Sequence, residues 1–372
     1  MKKTLLIAAL SMAAAPAFAS KARLSALGEA EHLSDIQRTF DRPYEAAMHG
    51  EYATVEFGTA SGTPNAEGGF TRQVSEGNYL GFYVNRKPQA ILNAISANAD
   101  LEDVVSPLLD NSVNVFYASR AGEMTWGVNF FYLNSNKKDG YEAADAGTTA
   151  MTSGKADVMG LALGAAAGAW EVDAVIGLAG KATFDPSAAV GTITTDGEFQ
   201  STSNMAFRGA YKMDNMYYFA KYGMAGAKLE IGGTEAAKSE NTDLEIGMVN
   251  TTKSEGAEFF YGVSYQMSTE KDKVADTKDE TNTVPLIVGV EADANSWMVL
   301  RGSIKHNLPI LSTTKSTGGS GNTQAGNTTI GAGAAFKFNK FTVDTLVAAG
   351  QSGNIDTSAG GFLTNASLTY NF

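Results

Sequence analysis

Apolar residues recur at every second position along much of the chain. Trp126, Val128, Phe130 and Tyr132 alternate with Thr125, Gly127, Asn129 and Phe131. Trp170, Val172, Ala174, Ile176 and Leu178 alternate with Glu171, Asp173, Val175, Gly177 and Ala179, and Phe259, Tyr261, Val263, Tyr265 and Met267 with Glu258, Phe260, Gly262, Ser264 and Gln266. Successive strand side chains point to opposite faces. Each segment therefore carries one apolar, aromatic face and one small, polar or charged face. The alternation lasts about ten residues at a time, enough for a tilted strand to cross a bilayer and longer than the ~5–6 residues of an ordinary strand.

The pattern predicts strands over 52–60, 68–74, 79–87, 112–119, 124–133, 156–165, 169–179, 203–212, 216–230, 241–251, 257–267, 283–292, 297–306, 327–338, 340–349 and 361–372. That is about sixteen, with fourteen or eighteen also compatible. Short connections fall at 75–78, 120–123, 166–168, 213–215, 252–256, 293–296 and 339. Polar segments at 134–155, 180–202, 268–282 and 307–326 read as long loops. Short turns on one rim and long loops on the other are the layout of a transmembrane antiparallel up-and-down β-barrel. An even count puts both termini on the short-turn rim. Trp126, Trp170, Tyr218, Trp297 and Phe338 lie beside short turns. Amphipathic rings gather at membrane interfaces, so these residues are the predicted aromatic girdle. The longest apolar run, Val158–Trp170, contains Gly160, Gly164 and Gly168 and reads as two strands joined near 167–168.

The two ends of the predicted barrel need separate treatment. Residues 1–19 read as a signal peptide: Lys2 and Lys3, an apolar stretch from Leu5 to Ala15, Pro16, then Ala17-Phe18-Ala19 as a small-x-small cleavage pattern. Residues 20–50 interleave Arg23, Arg38 and Arg42 with Leu24, Leu27, Leu33, Ile36 and Phe40. They fit either a short helix in the lumen or a periplasmic tail. Residues 51–372 are the predicted barrel. Within them, 88–111 departs from the period of two. Ile91, Leu92, Ile95, Val104 and Val105 take helical spacing, Pro88 suits a first helical position, and Asp100, Glu102 and Asp103 make the segment acidic. It fits a loop folded into the barrel to constrict it, or a helix packed on the rim or on a neighbouring subunit.

Composition narrows the chemistry. The 372 residues include 40 glycines and 8 prolines, with 44% hydrophobic and 18% charged residues. The mean hydropathy of −0.13 is far from that of stacked membrane helices. With no cysteine, thiol catalysis, Cys-ligated metals and disulfides are excluded. His32, His49 and His306 are scattered. His306, the only one in a predicted strand, faces outward with no local Ser, Asp or Glu partner, which argues against a barrel hydrolase. No catalytic residue, metal or cofactor is expected. A net charge of −12 is a poor match to nucleic acid, which needs a basic patch.

The last residues run Phe362-Leu-Thr-Asn-Ala-Ser-Leu-Thr-Tyr-Asn-Phe372, with Phe362, Ala366, Leu368, Tyr370 and Phe372 on one face. This resembles the final strand of Gram-negative outer-membrane β-barrel proteins, and the layout of the whole chain is similar to that of the general porins. The resemblance implies recognition of Phe362, Leu368, Tyr370 and Phe372 by the barrel-assembly machinery, contact with outer-membrane lipid and lipopolysaccharide, and a homotrimer. The charged run from Thr269 to Glu280 reads as a solvated loop tip or, alternatively, a lipopolysaccharide contact.

The face opposite the aliphatic one carries Glu171, Asp173, Arg208, Lys212, Lys221, Asp243, Glu245, Glu258, Glu291, Arg301, Lys305, Lys337 and Asp344. A lipid-facing Arg or Lys at mid-depth costs ~2–4 kcal/mol, so these residues are expected to line a water-filled lumen or to pair across it. Arg208 and Lys221, on adjacent strands, are expected to form a basic patch. The reading is a porin passing small hydrophilic solutes and ions. The alternative is a structural or adhesive outer-membrane barrel with a blocked lumen.

Overall fold

The computed structural model describes residues 20–60, 63–88, 104–138, 141–142, 149–186, 195–316, 319–322, 327–349 and 365–372. Among these, sixteen strands form a closed, all-antiparallel barrel. They are β1 (Tyr52–Ala60), β2 (Thr63–Ser75), β3 (Asn78–Val84), β4 (Ser112–Ala121), β5 (Met124–Lys137), β6 (Thr149–Ala167), β7 (Trp170–Pro186) and β8 (Gly197–Met213). The second half comprises β9 (Met216–Ile231), β10 (Thr234–Ser254), β11 (Ala257–Asp272), β12 (Thr277–Asn295), β13 (Met298–Ser316), β14 (Asn327–Phe338), β15 (Phe341–Ala349) and β16 (Asn365–Asn371). Tyr141–Glu142 and Gly319–Asn322 are short pieces paired to β6 and β13. Closure is made by β1 against β16, with Val55 opposite Leu368.

The short turns fall where expected, several on residues with positive φ: Gly77, Gly122, Gly168, Asp214, Gly256 and Asn339. The other rim differs from expectation. Residues 180–186 and 197–202 and most of 268–282 are strand, as are parts of 134–155 and 307–326. β11 runs to Asp272 and β12 begins at Thr277, while β9 and β10 meet at Gly232-Gly233. Above the membrane both faces of a hairpin meet water, so the ladder continues after the apolar alternation has stopped. Conversely, β3 ends at Val84 rather than 87, because Asn85 turns left-handed at φ 64°.

The outward face is apolar. Val55, Phe57, Phe82, Phe130, Leu163, Ile246, Tyr261 and Ile304 are exposed, as are Trp126, Trp170, Tyr218, Trp297 and Phe338 beside the short turns. A contiguous belt of this kind on a water-soluble monomer would far exceed the usual few hundred Å² of apolar patch. On a closed barrel it is the lipid-facing surface. Among the described residues no helix is long and apolar enough to cross a membrane; the strands make the crossing.

Residues 20–50 lie inside the barrel, toward its short-turn end. They form α1 (Lys21–Ala26), a 3-10 turn (Ile36–Phe40) and α2 (Glu45–His49). Ser20 caps α1 by accepting from Arg23 N, and Asp35 caps the 3-10 turn by accepting from Gln37 N. Leu24, Leu27, Ala30 and Leu33 pack on Ala210, Tyr217, Phe219, Val249 and Phe260 of the inner wall. Phe40 packs on Tyr83 and Phe116, and Ala46 and Ala47 pack on Tyr79 and Ala118. The wall is thinned to meet this segment. A Cβ on Gly331 would sit 2.6 Å from Ser25 O, and one on Gly127 2.6 Å from Tyr44 N.

Toward the long-loop end a second inner cluster forms. Val104 and Val105, with Leu108 and Leu109 of the 3-10 turn Ser106–Leu109, pack on Leu133, Val158, Phe184, Phe199 and Leu229. Of the expected constriction loop, Asp100, Glu102 and Asp103 lie outside the described residues.

Candidate functional site in the lumen

Strand alternation turns a set of charged side chains into the barrel, and the lumenal segment supplies their partners. Arg208 of β8 lies opposite Asp173 of β7 and Lys221 of β9. Its Nε donates to Asp173 Oδ2 at 2.9 Å, and its Nη2 donates to Glu171 Oε2 at 3.0 Å and to Tyr44 Oη at 2.9 Å. Its Nη1 donates to Tyr217 Oη at 2.5 Å, and that hydroxyl donates to Glu171 Oε2 at 2.7 Å. Lys221 pairs with Glu245 Oε2 at 2.7 Å and Glu31 Oε2 at 3.3 Å. The expected basic patch is therefore a neutralised network. A cation buried with its carboxylates avoids the large penalty of an unpaired buried charge.

A second network joins neighbouring wall strands to α1. Arg301 of β13 donates to Glu291 Oε2 at 2.6 Å and to Asp344. Arg23 of α1 reaches the same carboxylate at 2.8 Å, and its Nη1 lies 3.4 Å from Asp35 Oδ2. Glu258 faces His32 Nε2 at 3.5 Å and also pairs with Lys253 at 2.8 Å. Lys337 lies 3.5 Å from Asp293 near the short turns. Lys305 lines a small cavity of about 120 Å³ with Glu29, Arg38 and Lys221. Lys212 and Asp243 are exposed. His306 accepts or donates at 2.7 Å to Thr328 Oγ1.

A third network joins β1 and β2 to the lumenal segment. Lys21 pairs with Glu67 at 2.5 Å, and Tyr83 Oη donates to Glu67 Oε1 at 3.2 Å. Gln37 donates to Glu56 Oε1 at 2.5 Å, and the Arg86 guanidinium lies 3.8 Å over the Phe40 ring. Glu56 and Glu67 sit on inward positions of β1 and β2. The inward phase of Glu56 is readable from its alternation with Val55 and Phe57, whereas Glu67 stands just before the strand predicted over 68–74. The partners Lys21 and Gln37 are not readable in this way, since residues 20–50 carry no strand period.

Burial and the neighbouring cations set opposite protonation tendencies on the segment's acids. Burial opposes ionisation of Glu31, but Arg42, Lys221, Arg38 and Arg208 outweigh it and hold the carboxyl down at about 2. At Asp35 burial wins over Arg23, and the pKa rises to about 6.

Between the lumenal segment and the wall of β5–β8 lies a cavity of about 770 Å³. Gln37, Arg38, Phe40 and Arg86 bound it on one side, and the small residues Gly160, Ala162, Gly177 and Gly180 on the other. Among the described residues no group of three or more His, Asp or Glu side chains is placed to hold a metal.

No family model matches the chain, and no curated protein matches it. Among solved structures it is similar to OmpT, an outer membrane protein of Vibrio cholerae, in its trimer form. That match has 11% identity and a TM-score of 0.39, covering 87% of this chain and 98% of the other. It is similar to a porin refined at 1.8 Å, with 14% identity and a TM-score of 0.39, covering 87% and 99%. It is also similar to CymD, a monoaromatic hydrocarbon channel, with 9% identity and a TM-score of 0.40, covering 96% and 98%. The closed strand ladder and its apolar belt make the chain a multi-pass β-barrel protein of the outer membrane.

Proposed function

We propose that the protein is an outer-membrane channel for small hydrophilic solutes, narrowed at its short-turn end by its own residues 20–50. The observation that carries this reading is the charged inner face. Arg208, Lys221, Glu245, Glu291, Arg301 and Asp344 all face inward and pair with one another, with neighbouring wall carboxylates or with the segment's own charged groups. In this reading Glu171, Asp173, Glu258 and Lys305 continue the lining, Lys212 and Lys337 stand at the periplasmic mouth, and Asp243 stands toward the outer one. The charged walls of a lumen tune which ions pass.

A second reading has its own support. Leu27 and Ala47 are 0% exposed within the barrel, as a permanently seated plug would require, and a barrel so filled would be structural rather than conducting. Single-channel recording separates the two. The full chain in a planar bilayer should give small steps, and the same barrel lacking residues 20–50 should give larger ones. A full chain that never conducts, with steps only after deletion, supports the structural reading. No steps from either refutes the channel.

Three associations belong to the same proposal. Leu368, Tyr370 and Phe372, with Phe362 outside the described residues, form the signal read by the barrel-assembly machinery. The hairpin tip around Asp272–Thr277 meets lipopolysaccharide. The barrels associate as a homotrimer.

A further inference from the structure

The barrel wall is not uniformly knitted. Between β7 and β8 the ladder runs to Ile176 opposite Met205 and resumes only at Lys181 opposite Gln200. Gly177, Leu178, Ala179 and Gly180 thus have no partners on β8, nor Ser201, Thr202, Ser203 and Asn204 on β7. Each strand keeps its other neighbour, but with a slip at the same height. β6 and β7 shift between Met159 and Gly160, leaving Leu178 as the extra residue; β8 and β9 shift at Gly226/Ala227, leaving Thr202 as the extra one. Bulges re-aim side chains and interrupt pairing. Two of them on facing strands interrupt the ladder for four rows, starting at the close approach of Gly177 to Asn204, where a Cβ on the glycine would lie 2.9 Å from that of the asparagine.

The height of the break is fixed by the side chains around it. Val172, Leu163 and Phe207 are exposed on the apolar belt below it. Above it, Lys181 of β7 forms an exposed ion pair with Glu198 of β8 at 2.7 Å, which marks the edge of the belt. At ~3.3 Å per residue and a tilt of ~40°, the break stands roughly 20 Å from the short-turn end, within the outer-leaflet half of a ~25 Å apolar band. An unpaired backbone facing hydrocarbon is costly and is tolerated where it lines a cavity. Here it does: Gly177 through Gly180 and Ser201 through Asn204 border the 770 Å³ cavity.

We propose that this break is a lateral portal joining the lumenal cavity to the outer leaflet, and that it passes small amphipathic molecules. Apart from Leu178, which is exposed on the outer face, the residues bordering the break are glycine, alanine, serine, threonine and asparagine, so widening it displaces little side-chain volume. The cavity behind it is two-faced. Phe131, Val158 and Ala162 offer apolar surface on the wall side. On the segment side Arg38 Nη2 donates to Glu29 O at 3.0 Å, while its buried Nε has no hydrogen-bond partner. A solute entering from lipid would lay its apolar body along β5–β6 and present an acceptor to Arg38. The portal is independent of whether the lumen conducts along its axis.

The test uses the absence of cysteine. Ala162→Cys places a single thiol on the cavity wall in proteoliposomes. N-(1-pyrenyl)maleimide dissolved in the bilayer reports access from lipid, and a charged water-soluble maleimide reports access from the aqueous lumen. Deleting Leu178 together with Thr202 brings Gly177, Ala179 and Gly180 opposite Asn204, Ser203 and Ser201, so the ladder becomes continuous and the portal closes. Should that barrel not assemble, Leu178→Cys with Ser203→Cys is the second closure. The register, unchanged from Ile176–Met205 to Lys181–Gln200, puts these two positions opposite each other within the break, so a disulfide between them spans it and leaves the thiol at 162 free. The expected result is labelling by the lipid-dissolved reagent in the parent and its loss on closure, with the water-soluble reagent unchanged. Lipid-phase labelling that survives closure, or that is absent in the parent, overturns the portal. Failure of the water-soluble reagent in the parent counts against the axial channel alone, and the lipid-phase comparison still decides the portal.

Discussion

Arg23 of the lumenal segment and Arg301 of the wall donate to one oxygen, Glu291 Oε2, at 2.8 and 2.6 Å. One carboxylate thereby ties the short helix α1 to β13 through two guanidiniums that would otherwise repel. Replacing Glu291 with Gln leaves both cations in place with a neutral acceptor. Removing one partner of a buried ion pair costs ~3–5 kcal/mol; with Glu291 partly solvated, the lower end of that range applies. The loss should fall on the docked segment more than on the barrel. Limited proteolysis within 20–50 should accelerate, while the barrel's resistance to detergent unfolding stays close to the parent's.

The docked segment should also respond to pH in two directions. Burial raises Asp35 to about 6. A raised acid pKa favours the protonated, docked form, so its contribution is complete below the ordinary carboxylate range and is lost as pH rises through about 6. Glu31, lowered to about 2 by its cations, contributes above its unfolded pKa, and that contribution is lost as pH falls through about 2. Docking should be tightest near pH 4–5 and weaken on either side, each limb worth at most ~3 kcal/mol by linkage. Protease susceptibility of 20–50 against pH checks this. Asp35→Asn, which keeps the cap to Gln37 N, should flatten the upper limb alone, and Glu31→Gln the lower one.

The wall was legible because its two faces differ in kind. Arg301, Asp344 and Glu291 could be placed inward from their alternation with Leu300, Val343 and Val290, and the girdle from Trp170 and Trp297 beside turns. Their pairing partners were hidden. Arg23, Glu31 and Tyr44 belong to a segment of short helical turns whose docking is decided by the shape of a lumen not yet built when the chain is read. The strands above the belt were hidden for a different reason. Thr269, Lys271 and Asp279 are polar on both faces, so no alternation marks them. The break at Leu178 is a phase slip from Gly177 to Gly180, masked because glycine and alanine look alike on either face.

Gly127 tests how closely the segment is held. It lies on β5 beneath Pro43 and Tyr44, with Tyr44 N 2.6 Å from where a Cβ would stand. Gly127→Val keeps the strand, since β-branched residues suit a ladder, but fills the space the segment occupies. The barrel should assemble normally and migrate as a folded species in unheated gels. Its single-channel conductance should rise toward that of the form lacking residues 20–50. Conductance identical to the parent's would mean that the segment shifts aside without opening a path.

Phe199 tests the opposite end of the lumen. It is one of the largest fully buried side chains, on the inner face of β8 against Val104, Val105, Leu108 and Leu109. It also lies opposite Ala182, directly above the break in the ladder. Phe199→Ala removes a ring from a cluster that fixes the end of the 88–111 segment to the wall, at a cost of ~3–5 kcal/mol where the site cannot collapse. Because the neighbouring ladder is already interrupted below Ala182, the wall there has few backbone bonds with which to resist. The variant should unfold at lower temperature in detergent and should lose protection of the β7 and β8 amides above the break before those of β11 and β12. Uniform loss of protection around the barrel would mean that the cluster supports the whole ring rather than this one segment of it.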